Sequence, residues 1–419
     1  MKIMDVIASP GLTGFFADDQ QAIKAGAVPD GFVYRGKPKT PGFRAIRQPG
    51  ASVSVMLLLE DGQVAYGDCV TVQYAGVGGR HPAFNAEELA QCIAGDWADW
   101  LRGLSLDRFR PLAEGLDQLS FDSPAPSALR YGISQALLDA VARARKITMA
   151  EVISQDYGTQ LSDKPVPIYT QSGDEMYLNA DKMILKRVGV LPHGLINNAE
   201  RKVGRDGEIL LGYVRWLAER IPMLGGVDYQ PRLHLDVYGT LGQVFEGDLD
   251  RLADYLARLA VAASPYSIQV EGPLDMGDRA AQITGMRALR DKLEQKGINV
   301  PIVADEWCNT LEDIREFTAA GAADFIQIKT PSLGNIDNTI KALQFAQAGG
   351  AYTYLGGSCN ETDRSGQVCA HIALALQPDQ MLAKPGMGVD EGLMIVHNEM
   401  SRALALISRR KRQNRPDRF

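Results

Sequence analysis

The sequence predicts a TIM-like (β/α)8 barrel behind an N-terminal α+β capping domain, and three observations carry that prediction. From about residue 165 onward, eight β-rich runs alternate with helical stretches. The region before them reads differently, as a hairpin followed by helices. Polar residues close successive strands of the repeating part, at the strand ends where a barrel keeps its chemistry.

The elements follow in chain order. In "SVSVMLLLEDGQVAYGDCVTVQYAG", Glu60, Asp61 and Gly62 form the turn between two β-rich runs. A helical segment covers roughly residues 85–103. A stronger one starts at Ser127, where Ile133, Leu137, Leu138 and Val141 recur at helical spacing. The strands then run 166–172, 189–197, 232–239, 266–273, 300–307, 324–331, 351–358 and 380–388. Helices such as "LDRLADYLARLAVAA" and "LEDIREFTAAGA" separate them. A doubly wound open sheet would lead with a Gly-rich first turn, and "VPIYTQSGD" is not one. These elements divide the chain into a capping domain with a lid loop (1–160), a catalytic barrel (161–408) and a basic tail (409–419).

Composition narrows the function classes. The chain of 419 residues is 45% hydrophobic and 23% charged, enough to bury large cores. Its formal net charge of −7 speaks against a nucleic-acid partner. The one basic run, from Arg409 through Arg412, reads as a solvated terminus. No apolar run reaches the roughly 18 residues that span a bilayer, so no membrane is expected. The five cysteines form no CxxC pair and suggest no disulfide framework. With no leader-like start either, a reduced cytoplasmic compartment is expected.

Asp236 ends the third strand, Glu271 the fourth, Asp305 the fifth, and Gln327 with Lys329 the sixth, each about one βα unit after the last. Side chains alternate along a strand. His234 therefore shares a face with Asp236, Gln269 with Glu271, and Gln327 with Lys329. Leu233, Leu235, Ile268, Val270, Ile326 and Ile328 face the helices. Three converging carboxylates repel one another unless a hard divalent cation such as Mg2+ sits between them. Single acids often cap or pair with a neighbouring helix, but three in phase on consecutive strands point to a metal. A partly desolvated lysine beside such a cation becomes available as a base. The metal acidifies the C–H next to a bound carboxylate. Proton abstraction α to a carboxylate is the chemistry these residues suggest.

The order Asp, Glu, Asp, Lys on successive strands behind an α+β cap resembles the enolase superfamily. Longer stretches, among them "LPHGLINNAE", "HLDVYGT", "VEGP", "VADEWCNT", "IQIKTPSLG", "YLGGSCNETDRS" and "LAKPGMGVDEG", resemble one member family, the methylaspartate ammonia-lyases (3-methylaspartases). The resemblance runs along nearly the whole chain. It implies an enolase-like fold and a Mg2+-dependent, reversible elimination of ammonia from (2S,3S)-3-methylaspartate to mesaconate through an enolate. Asp236, Glu271 and Asp305 would hold the metal, Lys329 would take the C3 proton, and His193 would act from the other face. Gln171, His193, Gln327, Ser358, Cys359 and Leu382 would contact the small amino-dicarboxylate substrate. Gln73, in "TVQYAGVGGRHP", would reach down from the cap as part of the lid. Family members usually carry threonine where this chain has Ser358, so the hydroxyl is kept. Racemases and epimerases of the superfamily carry Lys-x-Lys at the second strand, which is absent here. A homodimer and activation by a monovalent cation such as K+ belong to the same implication. His81, His234, His371 and His397 receive no role. The alternatives are another enolase-superfamily dehydratase, racemase or cycloisomerase, or a barrel that holds a structural metal and only binds a ligand.

Overall fold

The structure, a computed structural model, describes residues 1–77 and 80–413. Eight parallel strands close into a barrel: Ile168–Tyr169, Val190–His193, Arg232–Asp236, Ile268–Glu271, Ile302–Ala304, Phe325–Ile328, Tyr352–Leu355 and Gln380–Leu382. Each pairs with the next in sequence, and the last pairs with the first through Met381 to Ile168 and Leu382 to Tyr169. Alternation sorts the side chains as expected. Leu233, Leu235, Ile268, Val270, Ile326 and Ile328 join the large core between barrel and helices. Tyr169, Val190, Val303, Phe325, Tyr354 and Leu382 form a separate apolar plug inside the barrel. That plug fills the lower lumen, so the polar strand ends occupy the mouth above it.

The cap is a three-stranded antiparallel sheet on which helices pack. Its outer strand, Ile3–Asp18, was not foreseen; it pairs with Arg47–Leu59, which pairs in turn with Val64–Cys69. Ile3–Asp18 carries Pro10 and Gly11 at its middle and shows no regular alternation of buried and exposed residues, so no period-2 signal marks it. The helix Pro126–Arg145 starts with proline in its first turn, where the missing N–H costs nothing. It crosses the hairpin closely at Gly132, where a Cβ would lie 2.6 Å from the Cys69 backbone nitrogen. The helical segment expected over 85–103 is interrupted: a π-turn, Ile93–Trp97, separates Ala86–Cys92 from Ala98–Leu101, with Gly95 off helical geometry (ψ −126°).

The last helix, Asp390–Gln413, takes in the first part of the basic run expected to be a tail, and Arg410 pairs with Glu151 of the cap at 3.1 Å. Residues 414–419 of that run lie outside the described residues, as do Gly78 and Gly79 of the lid loop. Among the described residues, no helix is long and apolar enough to cross a membrane.

Candidate active site at the barrel mouth

The third and fourth strands pair in register through Asp236 and Glu271, and Asp305 follows the fifth strand directly. One carboxylate oxygen from each lies within 4.8 Å of the others, and all three residues are buried. Glu271 Oε2, 2.8 Å from His234 Nε2, and Asp305 Oδ1, 2.5 Å from Lys329 Nζ, both lack a well-aligned hydrogen bond. Three buried carboxylates converging on one point, two of them with an oxygen left underused, fit a divalent cation.

The electrostatics are uneven. Burial, then the charges of Asp236 and Asp305, push the Glu271 carboxyl well above its ordinary range. Burial also works against the Asp305 charge, but the positive charges of Lys329 and Arg80 outweigh it and hold that carboxyl below its ordinary value. Glu306 is pushed up to about 8, chiefly by burial and then by the Asp305 charge.

Protein freed of divalent ions is therefore expected to lose stability as pH rises above about 6.5. Glu271 and Glu306 both bind protons more tightly folded than unfolded. Their contribution is complete below the ordinary value of 4.5 and drains away upward, for Glu306 by about pH 8. Two groups are shifted the other way: Asp305 acts only below 3.8, and His234, kept neutral by burial, adds stability with rising pH up to its ordinary 6.5 and nothing beyond. The melting temperature of the chelated protein should fall between pH 6.5 and about 8, where His234 no longer opposes the two glutamates, and Glu306→Gln should flatten part of that slope. A flat or rising profile would contradict this assignment.

The sixth strand delivers Gln327 and Lys329 as alternation demands. Gln327 Nε2 donates to Glu271 Oε1 and leaves its own Oε1 without a partner. Gln171 follows the first strand, 5% exposed, with an unpartnered Nε2 in the same cavity. Leu382 of the eighth strand closes the wall. From the cap, the Gln73 backbone N–H donates to Ser358 Oγ (3.0 Å), and Cys359 Sγ donates to Gln73 Oε1 (3.2 Å). Gln73 Nε2 donates to Asp18 at 2.8 Å. Burial raises the Cys359 thiol far above its ordinary value, which disfavours a nucleophilic thiolate.

His193 reaches the cavity against simple alternation. Its register partner is Leu235, which faces the helices. A left-handed backbone at His193 (φ 68°) instead brings Nε2 to 3.3 Å from Asp236 Oδ2. The Leu195 N–H donates to Nδ1, which leaves the proton on Nε2. Such a conformation in a non-glycine residue is costly and concentrates at functional sites.

All eleven residues singled out in the sequence meet here: ten line one cavity, and Glu271 lies against it in the acidic cluster. Sequence reasoning passed over four others. His234, fully buried and stacked flat on Tyr169 (centroids 4.2 Å apart), sits beneath Glu271. Its position two residues before Asp236, on the same face, was the available signal. Arg80 of the lid, with a side chain 5% exposed, lies 3.7 Å from Asp305. Glu306 and Tyr238 complete the wall, each next to or two residues beyond a predicted acid.

Barrel, cap and a buried acid cluster faced by a lysine define a metal-assisted enzyme of the enolase-superfamily type. The described family methylaspartate ammonia-lyase matches this chain with its N-terminus over residues 1–158 and its C-terminus over 160–409. The chain belongs to that family. Methylaspartate ammonia-lyase 2 of Carboxydothermus hydrogenoformans is 55% identical, covering 98% of this chain and 99% of its own. The structure of β-methylaspartase from Clostridium tetanomorphum as a Mg complex is 51% identical, with 98% of this chain and 100% of that one covered and a TM-score of 0.93. That of the Citrobacter amalonaticus methylaspartate ammonia lyase containing (2S,3S)-3-methylaspartic acid is 48% identical, covers 97% and 100%, and has a TM-score of 0.95. Muconate lactonizing enzyme from Pseudomonas putida, 19% identical with a TM-score of 0.60 over 90% and 86%, shares the fold alone.

Proposed function

We propose that this protein is a carbon–nitrogen lyase that eliminates ammonia reversibly from (2S,3S)-3-methylaspartate to give mesaconate, with Mg2+ as its metal. The observation that carries the reading is Lys329 Nζ at 2.5 Å from Asp305, an amine at the edge of a three-carboxylate cluster. Asp236, Glu271 and Asp305 would hold the ion. When bound, it draws charge from the substrate's C4 carboxylate and makes the C3–H acidic.

Lys329 takes the C3 proton onto Nζ. The C3–H electron pair passes through an enolate of the C4 carboxylate and then forms the C2–C3 double bond. The C2–N bond breaks as it does so, and the nitrogen leaves as ammonia. The free Oε1 of Gln327 and free Nε2 of Gln171 supply an acceptor and a donor for an amino acid with two carboxylates and an ammonium. Ser358, Cys359 and Gln73 close the site from the loop after the seventh strand and from the cap. That enclosure excludes water from the reacting carbons.

Release of mesaconate from methylaspartate, followed by its absorbance and lost on chelation, tests the reading. No mesaconate, with turnover of a sugar acid or dipeptide instead, would move the chain to another reaction of the superfamily. His193, with Nε2 toward the cluster, serves the opposite face of the substrate. His193→Asn is expected to suppress reaction of the 3R epimer about tenfold or more relative to the 3S substrate. An unchanged epimer ratio would remove that role.

The same reading includes a homodimer, activation by K+ and a cytoplasmic setting; five unpaired cysteines, four of them buried, fit the last. Sedimentation, and rates in K+ against tetramethylammonium, test the first two.

A further inference from the structure

The loop that carries Ser358 and Cys359 rests on a fully buried ion pair. Lys384 Nζ and Glu361 Oε1 lie 2.9 Å apart, both side chains wholly excluded from solvent. A buried charge pair persists when further hydrogen bonds satisfy both partners, and here they do. Lys384 Nζ also donates to Thr330 Oγ1 and to the Gly356 carbonyl, each at 2.9 Å. Glu361 Oε1 accepts from the Ser358 backbone N–H at 3.0 Å. Glu361 Oε2 accepts from the Tyr131 hydroxyl at 3.0 Å, and that hydroxyl lies 3.1 Å from Thr330 Oγ1. The Glu361 backbone carbonyl accepts from the Gly14 N–H at 2.7 Å.

These partners come from five separate places in the fold. Tyr131 belongs to the long cap helix and Gly14 to the outer cap strand. Thr330 follows Lys329, Ser358 lies in the loop after the seventh strand, and Lys384 lies two residues past the eighth. At Gly357 (φ 154°) a Cβ would collide with both charged groups, so the loop is drawn tight over the pair.

We propose that Lys384 and Glu361 are positioning residues that tie the cap to the substrate-binding loop, so that Ser358 Oγ meets the Gln73 backbone and the substrate with the cap in place. The inference rests on the ammonia-lyase reading, since its readout is methylaspartate turnover. It assigns a function to a charge pair that lies outside the acid cluster and touches no reacting atom.

The test replaces the pair with apolar residues of similar volume, Glu361→Leu with Lys384→Met. That exchange leaves no charge stranded and is commonly tolerated by the fold. The expected result is a KM for methylaspartate about tenfold higher, as loss of one or two hydrogen bonds at the loop gives. kcat should stay within about threefold and divalent-cation affinity, by calorimetry, within about twofold. Tyr131→Phe removes only the hydroxyl link and should raise KM about threefold.

A purely structural pair would lower the melting temperature and leave KM alone. Wild-type KM in the folded double variant therefore overturns the proposal, as does a fall in kcat with KM unchanged. If the double variant does not fold, Tyr131→Phe decides: a raised KM supports the proposal and a wild-type KM overturns it. A wild-type protein that makes no mesaconate sinks the ammonia-lyase reading itself, a separate result read before either variant.

Discussion

Lys329→Ala is expected to slow ammonia release from methylaspartate by about 10²- to 10⁴-fold, the range a positioned base contributes, while divalent-cation affinity holds or tightens. The two halves have one cause. Lys329 Nζ sits 2.5 Å from an Asp305 oxygen that the cation would use, so its removal takes away the base and a competing positive charge together. Arg80, at 3.7 Å, remains to keep Asp305 partnered, and the fold should survive. Mesaconate absorbance reads the rate and calorimetry reads the affinity. Wild-type turnover by this variant would end the proton-abstraction assignment.

Glu271→Gln is expected to weaken divalent-cation binding by at least about 100-fold, since loss of a ligand should cost no less than loss of a partner that orients one. In the absence of divalent ions, the same change should raise the melting temperature. Glu271 is pushed well toward its neutral form, by burial and then by Asp236 and Asp305. An amide of the same shape relieves that repulsion and keeps neighbours in His234 and Gln327. Opposite signs for stability and affinity would mark a site that trades one for the other. An unchanged cation dissociation constant would remove Glu271 from the ligand set.

The acid cluster was legible because strands impose a period of two and βα units impose a spacing. Asp236, Glu271, Gln327 and Lys329 needed nothing more than those two rules to be placed at one mouth. His193 was found by its motif, while its facing depends on a left-handed φ of 68° that alternation cannot express. Ile3–Asp18 escaped notice because it is the outer strand of the cap sheet and buries no regular face. Arg80 reaches Asp305 from the cap, and Glu361 and Lys384 join two barrel loops that the cap then contacts through Tyr131 and Gly14; no local pattern shows either. What the chain encodes within one element could be read from it; what two domains build between them could not.

The meeting of Gln73 with Ser358 bridges 285 residues, and that span sets an order of events on the ribosome. At roughly 5–20 residues per second, Gln73 leaves the tunnel about a quarter of a minute to a minute before the loop that will meet it. Throughout that interval Gln73 and Asp18 can pair with each other and with Arg47, all within the first part of the chain. The newborn cap thus carries partners that it keeps in the finished protein. The last strands of the barrel arrive to find one wall of their binding site already in place.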